Sequence, residues 1–469
     1  MVTYQDFLAE PNKLDFVCGA INDHMKGETY KTAVIADDYE CQRNTTMTNY
    51  VKYLYSPTGQ KAVDIISSNN RLCNNFFHRL NTARCAYSLG NGITFDKKGI
   101  KEKLGKDFDT DLYNGAYYGL IHGVCYVFWN MNKAHLFPVT QFCPLFDEDT
   151  GRLRAGLRFW SLDWGNKPVE VVLYQEEGET HYRTKPGSKG LDLVESQALR
   201  GYKQKVAYTT ADGYEIVGES NYSSLPIIPL YGSRSKQSTL VGLRGKLDAY
   251  DLIQSGFANN LQDCAEIYWI LGNAQGMTIP EQIQFLERMN LNHIVSADTE
   301  NCQITPYTQN IPYEARKVFL QDIRASMFED FGALDVHTVA AGDTNDHIDA
   351  AYKPMEEEAD DFEYQIISFV QQLLSLMGLG EEVPTFKRNR VSNQKEQTEM
   401  VLSAYAENVI DRQTAIEKLG WITVDEVNAI LDRLDAQDVA NKRDLDELRK
   451  EIEDDQARED GETDRRLDA

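Results

Sequence analysis

A long helical stripe in the middle of the chain limits the possible folds more than any other feature. Between Ser238 and about Tyr268, apolar residues recur at steps of three and four, at Leu240, Leu243, Leu247, Tyr250, Ile253, Phe257, Leu261, Cys264 and Tyr268. This period predicts one amphipathic helix. A helix of about thirty residues would reach ~45 Å, which is long for a globular domain.

Two further helices with apolar stripes follow. One is predicted from about Tyr313 to Phe331, and the other from about His347 to Met377. Pro354 lies inside the latter, where proline removes a backbone hydrogen bond and clashes with the carbonyl group of Ala350, so we expect a kink. The Gly- and Ala-rich residues 333–346 between the two helices are typical of a loop.

The other segments predict an α+β chain that is mainly α-helical. β-branched and aromatic runs separated by turn signals fill residues 110–235 and predict an antiparallel meander. A Pro/Gly/Ser-rich junction, SSLPIIPLYGSRSKQ, ends this half. The remaining expectations are helices within 1–85 and at about 108–121, a small mixed unit at 270–312, helices at about 394–409, 411–419 and near Thr423, and a charged end at 437–469.

The charge of the chain excludes one class of function. The 469 residues carry 73 acids against 48 bases, a net charge of −25. Tight binding of nucleic acid through phosphates needs a basic footprint, which this composition does not supply. The protein could still surround DNA without gripping it.

Cysteine usage and the absence of targeting signals favour a soluble, intracellular protein. The eight cysteines form no C-x-x-C pair, so we expect free, buried thiols. The N-terminus lacks the basic head and apolar core of a signal peptide. No apolar run approaches the ~20 residues of a membrane span.

The stretch GDTNDHIDAAYKPMEEEADD, residues 342–361, combines many carboxylates with a histidine and is a candidate metal or catalytic site. Its order does not match an EF-hand loop or a zinc site. Thr344 or Asp346 can instead cap the long helix, and Asp349 complements its dipole. The later acids avoid the apolar stripe and predict a solvated face, formed by Glu356, Glu357, Glu358, Asp360 and Asp361.

No motif in the sequence indicates an enzyme. The P-loop, nucleophile-elbow, zincin and dinucleotide-binding patterns are all missing. The basic segment SRSKQSTLVGLRGK could contact phosphate, although a helix start with surface Lys and Arg explains it better. We therefore expect no catalytic residue, metal or cofactor.

The order of elements resembles the portal proteins of tailed bacteriophages, particularly those of long-tailed phages. Five stretches resemble family segments: AYSLGNGITF, NGAYYGLIHGVCYVFWN, SLPIIPLYGSRSKQSTLVGLRGKLDAYDLIQSGFANNLQD, TNDHIDAAYKPMEEEADDFEYQIISFVQQLLSLMG and NVIDRQTAIEKLGWITVDEVNAIL. Together they cover about residues 50–435. Where family members often have a Ser-Gly pair and an Asn pair, this chain reads DTNDHID and GSRS, which leaves the shape of the loop at 333–346 open.

The resemblance implies a portal-like fold. Its parts would be an α/β wing (1–235), a first stem helix (236–269), a clip (270–312), a second stem helix (313–332), a channel loop (333–346), a kinked long wing helix (347–379), a helical crown (380–436) and a charged C-terminal tail (437–469). The channel-loop residues that would face DNA are His337, Thr338, Val339, Asp343, Thr344, Asn345, Asp346 and His347. The candidate basic residues of the stem are Arg244, Lys246, Arg316, Lys317 and Arg324.

The resemblance also implies the partners. The chain would form a ring, usually of twelve subunits, at one capsid vertex of the virion, after assembly in the cytoplasm of the host bacterium. Double-stranded DNA would pass through it non-specifically, and no membrane would be involved. Its protein partners would be the terminase large subunit, a head–tail adaptor, and the major capsid and scaffolding proteins.

Two alternatives stay open at this point. One is a metal-dependent nucleic-acid hydrolase that uses Asp343, Asp346, His347 and Asp349. The other is a different capsid-associated structural or scaffolding protein, which would associate without forming a central channel.

Overall fold

A computed structural model gives the fold of the chain. It describes residues 2–55, 59–65, 67–97, 99–130, 133–161, 169–185, 191–202, 204–209, 215–263, 268–272, 303–307, 313–335, 345–389, 394–407 and 409–418, with single positions at 278, 280, 281, 283, 284, 427, 430–434, 436 and 437. The chain divides into two compact units. The first comprises Met1–Asp335 and Lys353–Asn389, and the second comprises Val336–Tyr352 and Arg390–Ala469.

The N-terminal region is helical, as expected, but it contains a hairpin that the sequence patterns did not reveal. Its helices are α1 (Tyr4–Ala9), α2 (Lys13–Lys26), α3 (Glu28–Glu40), α4 (Thr45–Thr48) and α5 (Phe76–Leu89). The hairpin between α4 and α5 consists of β1 (Tyr53–Tyr55) and β2 (Lys61–Val63), which form a separate two-stranded sheet. The three-residue strands are too short for a periodic pattern to be recognised.

The β-rich half forms two larger antiparallel sheets, so the expectation of a single meander was wrong. The meander is found in the five-stranded sheet β10-β9-β8-β7-β6, while β13-β4-β5 is a second sheet. In the second sheet, β4 pairs with β5 and also with β13, which lies far along the chain. The strands are β4 (Val124–Asn130), β5 (Lys133–Pro138), β6 (Phe142–Phe146), β7 (Leu153–Ser161), β8 (Val169–Tyr174), β9 (Glu179–Thr184), β10 (Leu193–Arg200), β11 (Gln204–Thr209), β12 (Glu215–Ser220) and β13 (Ile227–Tyr231).

Helices cover both sheets. The sheet β13-β4-β5 contacts α7 (Phe108–His122), which confirms the helix expected there. After β13, Gly232 lies directly against Gly119 of α7, and a Cβ atom on Gly232 would be 2.3 Å from the carbonyl oxygen of Gly119. The five-stranded sheet packs against α1 and α2. The shorter elements of this region are β3 (Ile93–Thr94), α6 (Ile100–Leu104) and a 3₁₀ turn (Val139–Gln141).

The long central helix is shorter than the stripe predicts. Helix α8 runs from Leu240 to Asp263, so its 24 residues reach ~36 Å. The expectation that it continues to Tyr268 was wrong, because β14 (Tyr268–Gly272) pairs there with β15 (Gln303–Tyr307). Aromatic and β-branched residues favour a strand at this point. Helix α9 (Tyr313–Phe331) agrees with its predicted bounds.

The third long helix is also confirmed. Helix α10 (Asn345–Leu376) continues through Pro354, and its predicted apolar stripe is buried at Met355, Ala359, Phe362, Ile366, Phe369 and Leu373. A short strand, β16 (Thr385–Phe386), then pairs with β3. The second unit contains α11 (Gln394–Ala406) and α12 (Arg412–Lys418), close to the expected bounds. Whether Pro354 kinks α10 stays a prediction.

The thiols are free in the described part of the chain, although not all of them are buried. Cys85, Cys125 and Cys143 are buried, Cys18 and Cys73 are half-buried, and Cys41 is exposed, contrary to expectation. Burial raises the pKa of the Cys125 thiol to about 12. Cys264 and Cys302 lie outside the described residues. Within the same limits, no helix has both the length and the apolar character that crossing a membrane requires.

Candidate functional site

The helices α8 and α9 lie side by side. The ring of Phe257 on α8 contacts that of Tyr313 on α9, with 5.8 Å between the ring centroids. Phe76 of α5 contacts both Tyr250 and Phe328, at 5.2 and 6.1 Å between centroids. Aromatic contacts therefore stabilise the packing of α8 and α9 along their length.

One end of the helix pair is anchored in the first unit by a separate apolar cluster. Leu243 and Leu247 of α8 pack there with Met327 and Phe331 of α9. The other buried members come from α3, α5 and α7 and from the start of α8: Ala36, Tyr39, Phe77, Leu80, Ile121 and Leu240. The Tyr39 hydroxyl donates a hydrogen bond to Asp248, which adds a polar contact between α3 and α8.

A buried polar stripe on α8 was not predicted. Asp251, Ser255 and Asn259 recur every four residues and are at most 8% exposed. They accept hydrogen bonds from alternate backbone amides of residues 67–75, a segment that we call the strap. The bonds are Asn74 N to Asp251 Oδ1 (2.8 Å), Leu72 N to Ser255 Oγ (3.0 Å) and Asn70 N to Asn259 Oδ1 (2.6 Å).

The spacing of helix and strap explains why these bonds repeat. Four helical residues rise ~6.0 Å, and two extended residues rise ~6.6 Å, so every second amide of the strap meets every fourth side chain of α8. Among the described residues the strap pairs with no strand, so the side chains of α8 supply acceptors for its amides. The polar stripe on α8 therefore fixes the course of the strap.

Asp251 is the central acceptor of this arrangement. Besides Asn74 N, its carboxylate accepts from the Asn74 side chain at 2.6 Å and from Asn44 Nδ2. The residue is fully buried. Burial raises the pKa of Asp251 above its ordinary value, and the hydrogen bonds from Asn44 and Asn74 offset only part of that rise.

The strap and α9 contact opposite sides of α8. Lys246, Tyr250 and Phe257 of α8 face α9 or the cluster that holds it. At 3.6 residues per turn, the polar stripe that begins at Asp251 lies roughly 180° from those positions. Helix α8 is thus the central layer of a strap–α8–α9 sandwich.

The C-terminus of α9 has a well-defined end, just before the expected channel loop. Gly332 adopts a left-handed conformation with φ 61°. Its amide donates to the Glu329 carbonyl at 3.0 Å, and the Ala333 amide donates to the Phe328 carbonyl at 2.9 Å. These two bonds form a Schellman motif, which satisfies the terminal carbonyl groups of the helix.

A buried arginine connects this helix end to α10. Arg84 of α5 donates to the Phe331 carbonyl oxygen, and its guanidinium lies 3.2 Å from Glu358 of α10. The guanidinium also covers the Phe331 ring, 4.1 Å from its centroid. The last residues of α9 are therefore held by contacts with two other helices.

Gly332→Ala tests how strongly this junction is packed. An added Cβ atom would lie 2.6 Å from Glu358 Cγ, in a backbone conformation that already costs alanine roughly 1–2 kcal/mol. We expect the variant to lose about 2–3 kcal/mol of unfolding free energy in urea titrations. Gly378→Ala is the matched control, because Gly378 has φ 66° at a similar helix end with open space around it. Equal losses in the two variants would contradict the packed junction.

All five basic candidates on the predicted stem contact other residues of the chain. Lys246 Nζ donates to the Ser326 carbonyl at 3.2 Å and contacts Asp330. Arg324 pairs with Asp335 at 2.9 Å, and Arg244 lies 3.8 Å from Asp248. Both Nη atoms of Arg316 donate to the side-chain oxygen of Asn260, at 2.9 and 2.7 Å. The Lys317 ammonium lies over the Tyr313 ring. Arg244 and Lys317 are the more exposed, and contact of any of the five with DNA stays a prediction.

The expected channel-loop residues fall mostly outside the described part of the chain. These are His337, Thr338, Val339, Asp343 and Thr344. Asn345, Asp346 and His347 form the first turn of α10, but their side chains are outside the description. The proposed cap of α10 by Thr344 or Asp346 is therefore untested.

The acidic face of α10 is less solvated than predicted. Glu357 is exposed as expected, but four of the neighbouring acids form ion pairs with arginines. The pairs are Glu358 with Arg84, Asp361 with Arg234, and Asp360 and Glu363 with Arg388. The partners lie far away in sequence, so the run of acids alone could not reveal them.

The described residues hold no cluster that could bind a metal ion. Of the four residues in the hydrolase hypothesis, only Asp349 is described with its side chain, and it is exposed on α10. The structure therefore offers that hypothesis no support within the part of the chain it describes.

The comparisons with known proteins agree with the resemblance read from the sequence. The family model described as phage portal protein, SPP1 Gp6-like, matches residues 36–458. A portal protein of Clostridium phage phiCD119 is 24% identical over 259 residues, or 49% of this chain; the match spans 57% of that relative.

Solved structures of a gene transfer agent also match. A chain from the neck of its native particle, computed with C12 symmetry, has 12% identity and a TM-score of 0.38, covering 82% of this chain and 99% of that one. A chain from the neck of its empty particle, computed with C6 symmetry, has 11% identity and a TM-score of 0.42 with the same coverage. On the extent of the family match, the chain belongs to the SPP1 Gp6-like family of phage portal proteins.

Proposed function

We propose that the protein forms a ring, of twelve subunits, at one vertex of a phage capsid, and that double-stranded DNA passes through the ring during packaging and ejection. The observation that carries the proposal is the α8–α9 pair. It is anchored at one end, yet large apolar side chains along it are 39–57% exposed: Val241, Leu252, Leu261, Tyr313, Val318 and Phe319. Such a concentration on two adjacent helices favours burial against further subunits.

The parts of the chain take the roles that the family suggests. Residues 236–269 and 313–332 would be the stem. Residues 270–312 would be the clip, which includes β15 and the last three residues of β14. Residues 333–346 would be the channel loop, which leaves α9 at the junction held by Arg84 and Gly332. The remaining roles are the wing at 1–235, the long wing helix at 347–379, the crown at 380–436 and the C-terminal tail at 437–469.

The charge of the chain suits DNA passage without tight binding. Twelve chains of −25 would carry about −300 in total, although salt screens such charge beyond ~10 Å. An acidic channel repels the phosphate backbone, so the duplex can slide. The pairing of Lys246 and Arg324 with carboxylates supports this view, because it reduces the positive charge available to DNA.

The proposed partners follow from a place at the portal vertex. They are the terminase large subunit and a head–tail adaptor at the clip, and the major capsid and scaffolding proteins around the wing. The protein would act as a structural component of the virion, assembled in the bacterial cytoplasm. The ATPase of the packaging motor would be a separate chain, since this sequence has no P-loop.

Electron microscopy and native mass spectrometry of the purified full chain test the proposal. We expect rings with a central hole and a mass of about twelve times 53.4 kDa. If the ring buries the apolar side chains of the α8–α9 pair between subunits, the subunits should stay associated in high salt, because salt does not screen hydrophobic contacts. Monomers or dimers that persist at high protein concentration would argue against the ring.

A further inference from the structure

The first relevant surface is the side of α9 that faces away from α8. Glu314, Val318, Asp322, Ala325 and Glu329 recur at helical spacing on this side and are all exposed. Three carboxylates and no basic side chain share it. We call these five residues the acidic face of α9.

The second surface is formed by the strap and the β1–β2 hairpin that precedes it. The exposed charged residues there are basic, Lys61 and Arg71. Asp64 is the one acid in residues 51–75, and its carboxylate is 4% exposed and 3.9 Å from Lys52. The surface also exposes apolar side chains, namely Val51, Tyr53, Val63, Ile65 and Leu72.

The hairpin needs a partner. An isolated two-stranded sheet is marginally stable in water, and this one exposes both Tyr53 and Val63. Its base is held to the strap, because the Lys52 ammonium donates to the Ser68 carbonyl at 3.2 Å. The strap is held in turn to α8, so the hairpin is presented as a fixed surface and not as a free end.

We propose that the strap–hairpin surface of one copy docks on the acidic face of α9 in a second copy. The inference rests on the ring proposed above and assigns its subunit contact. The two surfaces lie on opposite sides of α8, because the strap and α9 contact opposite faces of that helix. Opposed, complementary surfaces on one chain produce a head-to-tail contact, which closes into a ring when the rotation permits.

Charge and shape both favour this pairing over a symmetric one. A contact between two strap–hairpin surfaces would place Lys61 and Arg71 of one copy near the same bases of the other. A contact between two acidic faces would place three carboxylates against three carboxylates. Both symmetric contacts are therefore repulsive. The head-to-tail contact pairs bases with acids. It also covers Val63, Ile65 and Val318, which are 51–88% exposed in the single chain.

Charge reversal tests the pairing in the full-length protein. One variant carries Lys61→Glu and Arg71→Glu, and the other carries Asp322→Lys and Glu329→Lys. We expect each variant alone to need at least tenfold more protein for half-assembly into rings, measured by native mass spectrometry and microscopy, because like charges then face each other. Mixed in equal amounts, the two variants should assemble again, since every contact in an alternating ring pairs opposite charges.

Lys97→Glu with Lys103→Glu is the matched control. It changes the net charge as much as the first variant does, at exposed lysines outside both surfaces, and should assemble like the wild type. Assembly also provides the folding control, because misfolded variants would not rescue each other. Rings that tolerate both reversals, or variants that fail to assemble when mixed, would overturn this contact and leave the ring standing. A wild-type chain that never forms rings would overturn both proposals.

Discussion

Asp251→Ala is expected to be among the most destabilising single changes in the chain. It leaves Asn74 N and Asn44 Nδ2 without this acceptor, whereas Asn74 Nδ2 keeps its hydrogen bond to the Leu247 carbonyl at 3.2 Å. At roughly 1–3 kcal/mol for each unsatisfied buried group, we expect a loss of about 3–5 kcal/mol in unfolding free energy. Urea titration measures the loss, and hydrogen exchange should show the amides of Leu72 and Asn74 losing protection first.

Asp251→Asn separates the role of the carboxylate charge from that of its shape. Asn44 Oδ1 has no hydrogen-bond partner among the described residues, so a rotated Asn44 amide can accept from an asparagine at 251. We expect this variant to lose less than about 1.5 kcal/mol at neutral pH. A loss as large as that of the alanine variant would mean that the strap depends on the negative charge itself.

The difference in unfolding free energy between the wild type and Asp251→Asn should change with pH in a definite direction. Burial raises the pKa of Asp251 in the folded chain above its ordinary value of 3.8, so the folded state holds that proton more tightly than the unfolded state does. The contribution of Asp251 to stability is therefore present at low pH and declines as pH rises through the folded pKa. Because asparagine does not titrate, Asp251→Asn should gain stability relative to the wild type as pH rises above 3.8.

Gly232→Ala is expected to disrupt the junction between β13 and α7. The added Cβ atom would lie 2.3 Å from the carbonyl oxygen of Gly119 and 2.5 Å from the amide nitrogen of Leu120. Both are backbone atoms in the last turn of the packed helix α7, so neither can move aside as a side chain would. We expect a loss of about 3–4 kcal/mol, or no soluble protein.

Gly242→Ala is the control for that change. Gly242 lies in the first turns of α8 with no atom within 4 Å of an added Cβ. Alanine there should stabilise the helix by about 0.5–1 kcal/mol, because glycine carries the larger entropic cost in a helix. Thermal unfolding of the two variants measures both effects. A mild effect at Gly232 would mean that the glycine pair is looser than described.

The long apolar periods predicted the helices better than any other element. The stripes of α9 and α10 locate both helices to within two residues, since a stripe of three or more turns has few alternative structures. The end of α8 was missed because Cys264 and Tyr268 continue its apolar phase. The strand that replaces it there is stabilised by Gln303–Tyr307, a partner far along the chain that no local pattern contains.

The polar stripe of α8 shows a different limit of sequence reasoning. Asp251, Ser255 and Asn259 were visible at helical spacing, but polar residues at that spacing usually form a solvated face. Only the strap reveals that they are buried acceptors, and the strap has no periodic pattern of its own. The pairings of Glu358 and Asp361 with distant arginines were hidden for the same reason.

The position of α8 between two sets of contacts restricts how it can move. Rotation of the helix about its own axis would withdraw Asp251, Ser255 and Asn259 from the strap and, at the same time, shear Tyr250 and Phe257 away from their aromatic partners. Both losses oppose rotation in either direction, so α8 resists rotation about its own axis. We therefore expect α8 to move together with the strap and its aromatic partners when a load acts on it.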